Sequence, residues 1–256
     1  MYTVEGLLSE IRVLMEDEEL FRLFKETFRR YRHYFETTNS IVFNVYGFND
    51  HGSIHVLLTA KRALEILRIL KRFGVKTTAE MLGKSLRWSK FIVAFAALFH
   101  DVGNIIHREN HYFFSVVLAE PIIEELVRKF ENDNPLLLKA LTLNAIYTHD
   151  ESTDCTTMEG SILTVADGCD MEAGRSRLAY KPDKVDIHGV SALAIEKVEI
   201  REGDEKTPIL IEVRMNHLSG IFQVDEILTK KARRSLLREK VRVRIIAEDE
   251  VLEKII

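Results

Sequence analysis

Phe91–Phe99 is a run of nine apolar residues that leads directly into His100 and Asp101. A segment apolar on every side has no face to offer water, so it belongs at the centre of a folded unit. It is too short to cross a bilayer, which takes about 20 such residues. Its end delivers an imidazole and a carboxylate to the edge of a core. An ionisable group there is costly unless it is paired or binds a metal. Any fold built on this segment must therefore supply partners for His100 and Asp101.

The segments around it read as helices. Leu7, Leu8, Ile11, Leu14 and Met15 recur at helical spacing, as do Leu20, Phe21, Phe24, Phe28 and Tyr31, so residues 3 to 36 are expected to form two helices. A loop with Gly47, Asn49, Asp50 and Gly52 follows. A third helix is expected over Ser53–Phe73, stopped by Gly74, and a fourth over Ser89–Asp101, ended by Gly103. Further helices are predicted over Asn110–Glu131, from the Asn134 cap and Pro135 to Thr148, and over Glu159–Met171.

Past residue 185 the period changes to two. Ile209, Ile211, Val213 and Met215 alternate with Leu210, Glu212 and Arg214 and predict a strand. Val198 and Ile200 predict its hairpin partner, with 203–208 as the connection. Residues 222–239 read as helical, and Val241, Val243 and Ile245 as a last strand. The fold class is therefore mostly α: a helical core over 1–187 with a small C-terminal α+β module over 188–256. The module is too small to be independent.

Composition narrows the class. The 256 residues are 46% hydrophobic, enough for a real core, and the net charge of −4 argues against generic nucleic-acid binding. Two cysteines, Cys155 and Cys169, cannot make a disulfide framework, and the N-terminus lacks a secretory pattern, so a cytoplasmic location is expected. No apolar run predicts a membrane span. The basic run Lys230-Lys231-Ala232-Arg233-Arg234 lacks interleaved aromatics and reads as a solvated helix face.

Six of the nine histidines fall between 51 and 149, each near a predicted helix end or turn. Asp167 follows the apolar-rich Ile162-Leu-Thr-Val-Ala. Imidazole and carboxylate together suit Mn, Fe, Ni, Co or Zn, and the absence of thiolates at metal spacing disfavours a structural zinc. For His33 and His217 a capping or hydrogen-bonding role is the ordinary expectation.

The order His55, His100-Asp101, Asp167 resembles the H…HD…D signature of the HD-domain superfamily of metal-dependent phosphohydrolases. Leu98-Phe-His-Asp-Val-Gly103 is similar to its central motif. His51-Gly-Ser-Ile-His55-Val56 looks like its first motif, HDxxHVxRV, with Gly52 in place of Asp and Leu58 where Arg is common. Val165-Ala-Asp167-Gly168 looks like its last. The resemblance covers roughly 45–175. Members with two metals show the order H…HD…H…H…D, which His111 and His149 complete here. The resemblance thus implies two divalent ions (Mn, Fe, Ni, Co, Mg or Zn) held by His55, His100, Asp101, His111, His149 and Asp167. Asp101 would bridge them, and His100 and Asp101 would form the catalytic pair. The GYP tripeptide of one two-metal branch is absent, so its cyclic dinucleotide substrate is not carried over.

Around this set alternatives stand open. His107 competes with His111, and Asp150 with His149. His51, one turn before His55, is expected to orient a ligand. Arg175, Arg177 and Lys181 are expected to contact substrate phosphate, or else form a solvated basic loop. Lys84, Arg87 and His188 are weaker candidates. The expected activity is hydrolysis of a phosphomonoester or phosphodiester of a nucleotide or similar small molecule, through a metal-activated hydroxide. One rival is a mononuclear nucleotidase needing only His55, His100, Asp101 and Asp167. Another is a metal- or nucleotide-sensing protein without turnover. The edge of the C-terminal sheet needs covering, so a homodimer through the module is expected.

Overall fold

A computed structural model describes residues 2–46, 50–172, 191, 193–247 and 250–256. Helix α1, Val4–Met15, starts at Thr3, whose hydroxyl accepts from the Gly6 amide. Helix α2, Glu18–Arg30, starts at Asp17 in the same way, with the Leu20 amide as donor. The expected pair of helices is in fact three, because α3, Arg32–Ile41, begins after a break at Tyr31. The break has a packing reason. Phe24 of α2 lies edge-on to Phe95, whereas Tyr31 and Phe35 pack against Phe99. One straight helix could not follow the apolar segment around its end. A π-helical turn, Val42–Tyr46, follows.

Helix α4, Ser53–Arg72, and helix α6, Leu86–Phe99, form the centre. Every residue from Phe91 to Phe99 has 0% exposure, as its sequence demanded. Helices α2, α4, α8 (Pro135–Tyr147) and α9 (Met158–Gly168) surround it. Between α4 and α6 lies the one-turn helix α5, Thr78–Met81, closed by a capping box of Thr77 and Glu80. Four residues are too few to show a period, so α5 was not expected. A 3-10 turn, Val102–Ile105, leads from α6 toward α7, His111–Lys129.

The C-terminal sheet has the order β1 (Ile195–Glu202), β2 (Ile209–Met215), β3 (Val241–Ala247), β4 (Glu250–Ile255). The expected hairpin is present, with Val198 opposite Val213 and Ile200 opposite Ile211. β2 and β3 are parallel, and such a pair needs a long crossover. That crossover holds a 3-10 turn (Leu218–Gly220), α10 (Ile221–Gln223), a π-helical segment (Val224–Thr229) and α11 (Lys230–Arg233). Helix therefore ends at Arg233, short of the expected 239. β4 was missed because Glu250-Val-Leu-Glu-Lys-Ile255 does not alternate. The inner faces of β2 and β3 join the same apolar cluster as the helices.

The turn after Asp101 is pressed onto α7. The Gly103 amide donates to Ser115 Oγ at 2.8 Å, and a Cβ at Gly103 would overlap the His111 carbonyl and the Ser115 amide. Gly103→Ala is thus expected to push α7 outward and cost about 1–3 kcal/mol, as overpacking does. Denaturant unfolding measures this. An unchanged midpoint would contradict the close approach.

Candidate metal centre

Each of the six sequence-selected residues sits where a helix begins or ends. His55 lies on the first turn of α4, His111 opens α7, and Asp167 is next to last in α9. His100 and Asp101 follow α6, and His149 follows α8. Helix ends converge at one point inside the bundle, and none of the six exceeds 9% exposure.

The atoms form two sets that share Asp101. On one side Asp101 Oδ2 lies 3.2 Å from His55 Nε2 and 3.4 Å from His100 Nε2. Asp167 Oδ1 completes that side, 3.4 and 3.6 Å from the same two nitrogens. On the other side Asp101 Oδ1 lies 3.2 Å from His111 Nε2 and 3.5 Å from His149 Nε2. Asn104 holds the carboxylate by donating to its Oδ1 at 3.2 Å. Three overlapping groups of donor atoms lie close enough to hold a cation: His55–His100–Asp101, His100–His149–Asp167 and Asp101–His111–His149.

The rings are aimed by their outer nitrogens. His100 Nδ1 donates to Ala97 O at 2.9 Å, His111 Nδ1 to Arg108 O at 3.1 Å and His149 Nδ1 to Ile146 O at 2.6 Å. His55 Nδ1 donates to Asp170 Oδ2 at 2.6 Å. These partners only accept, so each Nδ1 carries a proton and each Nε2 faces inward. Yet the Nε2 atoms of His55 and His100 are 3.0 Å apart, and those of His111 and His149 are 3.2 Å apart. Ring nitrogens this close need a proton or a cation between them. Ligand bonds of about 2.1 Å, at right or tetrahedral angles, separate neighbouring donors by roughly 3.0–3.4 Å. The donor set and its spacing fit divalent metal ions.

The charges agree. Burial disfavours a protonated His100, but the Asp101 and Asp167 carboxylates outweigh it and raise its pKa from 6.5 to about 10. Burial opposes ionisation of Asp101 and Asp167 too. Even so, His100 and His51 hold Asp101 well below the usual range, and Lys231 and His100 do the same for Asp167. Burial lowers the pKa of His149. Without metal, the proton on His100 stabilises the fold fully below pH 6.5, and that contribution is lost as pH rises through about 10. A metal must displace this proton. Metal binding is therefore expected to tighten as pH rises through this window, releasing about one proton at pH 7.5. Titration calorimetry in buffers of different ionisation enthalpy checks this, and no proton release would contradict it.

Other candidates fall elsewhere. His51 Nε2 lies 3.7 Å from Asp101 Oδ2, beside the centre. Asp150 Oδ2 lies 3.7 Å from His111 Nε2. His107 is exposed and its Nδ1 accepts from the Glu109 amide, away from the cluster. His217 caps the Leu218 turn by accepting from the Ser219 amide. Lys84 pairs with Asp133, and Arg87 with Asp17 and Glu19. Arg175, Arg177, Lys181 and His188 lie outside the described residues.

Two residues were missed. Asp170 grips His55 and is met by the buried Arg62 at 3.4 Å, which also donates to Glu172 at 3.0 Å. Asp170 lies one helical turn past Asp167, a spacing that could have marked it. Lys231, expected on a solvated helix face, is instead 7% exposed and donates to Asp167 Oδ2 at 2.8 Å. Leu228, Lys231, Ala232 and Ser235 are all buried, so helical spacing to Leu228 placed Lys231 on the inner side. Asp170→Asn removes the charge that orients His55. Metal affinity is expected to fall about 10–100-fold, and an unchanged dissociation constant would show that His55 needs no such partner.

Comparison with known proteins agrees with this geometry. The family model described as the HD domain matches residues 52–172, and the chain belongs to the HD-domain superfamily, a superfamily of metal-dependent phosphohydrolases. It is also 39% identical over 213 residues to an uncharacterized protein of Methanocaldococcus jannaschii, covering 82% of each chain. No solved structure gives a significant match. No helix among the described residues is long and apolar enough to cross a membrane.

Proposed function

We propose that the centre holds two divalent metal ions and that the protein hydrolyses a phosphomonoester or phosphodiester of a nucleotide or similar small molecule. The observation that carries this reading is the division of Asp101, whose two oxygens face two separate histidine pairs. His55, His100, Asp101 and Asp167 would hold one ion, and Asp101, His111 and His149 the other. When bound, the ions supply Lewis acidity and lower the pKa of water.

The chain's own residues do the rest. The Nδ1 hydrogen bonds fix four rings before any ligand arrives, so no reorganisation is needed. A cleft of about 170 Å³, lined among others by His51, Asp101, Arg108, His111, His149 and Lys231, gives access to the cluster. His51 borders the cleft beside Asp101. Arg108 donates to Asn104 Oδ1 at 3.1 Å and brings positive charge to the wall, where phosphoryl oxygens would gather negative charge. Arg175, Arg177 and Lys181 keep their proposed role as phosphate contacts.

The test is phosphate release from nucleotides, cyclic nucleotides and an aryl phosphodiester, assayed across the divalent metals named above. Turnover is expected to depend on metal and to fall at least about 10²–10³-fold in Asp101→Ala, the size of losing a charge-stabilising group. Loss of the second ion in His111→Ala and His149→Ala, with retention of the first, is expected for two metals. Full metal content and rate in both would select the mononuclear rival. Metal-loaded protein that binds nucleotide without turnover would select the sensing role.

We also propose that the chain acts in the cytoplasm as a homodimer joined through the C-terminal sheet. β4 is an edge strand with Val251, Leu252 and Ile255 exposed, a surface that invites pairing. Light scattering is expected to give twice the chain mass. A monomer at micromolar concentration would contradict it.

A further inference from the structure

The chain returns to the metal centre after residue 172, where the HD match ends. Lysine is seldom buried unless paired, yet Lys231 of α11 is enclosed and has acceptors on three sides. Its ammonium donates to Asp167 Oδ2 at 2.8 Å and to the His149 carbonyl at 2.9 Å, with Glu151 at 3.6 Å. Both strong partners belong to residues of the cluster. The crossover packs tightly here: a Cβ on Gly168 would lie only 3.3 Å from Leu228 Cα and 3.4 Å from Lys231 Cδ.

The Asp167 carboxylate is thereby divided. Oδ1 faces His55 and His100, and Oδ2 is held by the ammonium. We propose that Lys231 is a positioning residue of the metal centre. It keeps one oxygen of Asp167 toward His55 and His100, and it ties the end of α8, at His149, to the end of α9. The crossover of the C-terminal module is then part of the centre. This inference rests on the metal-centre reading above. Without the ammonium, Asp167 is free to rotate and the His149 carbonyl loses its donor, so two donors on opposite sides of the cluster loosen together.

The test is Mn²⁺ affinity by calorimetry on the chelator-stripped full chain, with folding followed by circular dichroism. Lys231→Met, of similar length and apolar, is expected to fold and to bind Mn²⁺ about 10–100-fold more weakly. Lys231→Arg, which keeps charge and donors, should recover most of that loss. Unchanged or tighter binding in folded Lys231→Met would overturn the proposal, because the ammonium would then be only a counter-charge. If Lys231→Met does not fold, Lys231→Gln replaces it, with weaker binding supporting the role and unchanged binding overturning it. Asp101→Ala is measured beside them. If it binds Mn²⁺ like the wild type, the metal-centre reading itself has failed, independently of Lys231.

Discussion

Four imidazoles turn their Nε2 atoms toward two carboxylates inside the helical bundle, and nearly every other feature of the fold serves or tolerates that arrangement. Ring nitrogens 3.0 and 3.2 Å apart need a proton or a cation between them. They persist because backbone carbonyls at the ends of α6 and α8, and before α7, grip the outer nitrogens of three rings, while Asp170 grips the fourth. The carbonyls at helix ends are those with no partner inside the helix, so they are free to accept from a ring. This is why the donors cluster where helices stop and start.

The apolar helix α6 explains the burial. With no exposed residue between Phe91 and Phe99, it cannot be moved toward solvent, and His100 and Asp101 at its end are committed to the interior. Charge balance then requires counter-ions from other elements. Arg62 from α4 and Lys231 from α11 meet Asp170 and Asp167. Both arrive as buried cations on hydrogen-bonded carboxylates, the only condition under which such burial is tolerable.

Much of this was legible in the sequence. The apolar run before His100, the helical spacing around it and the order of His55, His100, Asp101, His111, His149 and Asp167 pointed to helix ends meeting at one place. The mostly α core and small α+β module followed from the change of period near residue 190. What was not legible depended on contacts remote in sequence. Asp170 and His55 are 115 residues apart, and Lys231 and Asp167 are 64 apart, so neither pair leaves a local signal strong enough to assign it. The break at Tyr31 reflects which phenylalanine of α6 each neighbour meets. The parallel pairing of β2 and β3 depends on a crossover whose π-helical segment has no sequence period of its own.

The most direct measurement is anomalous diffraction from crystals grown with Mn²⁺, collected above and below the metal edge. Two peaks are predicted, one between Asp101 Oδ2, His55, His100 and Asp167, the other between Asp101 Oδ1, His111 and His149. A single peak on the first side would reduce the centre to one metal. No peak among these residues, in protein exposed to excess Mn²⁺, would contradict a metal centre altogether.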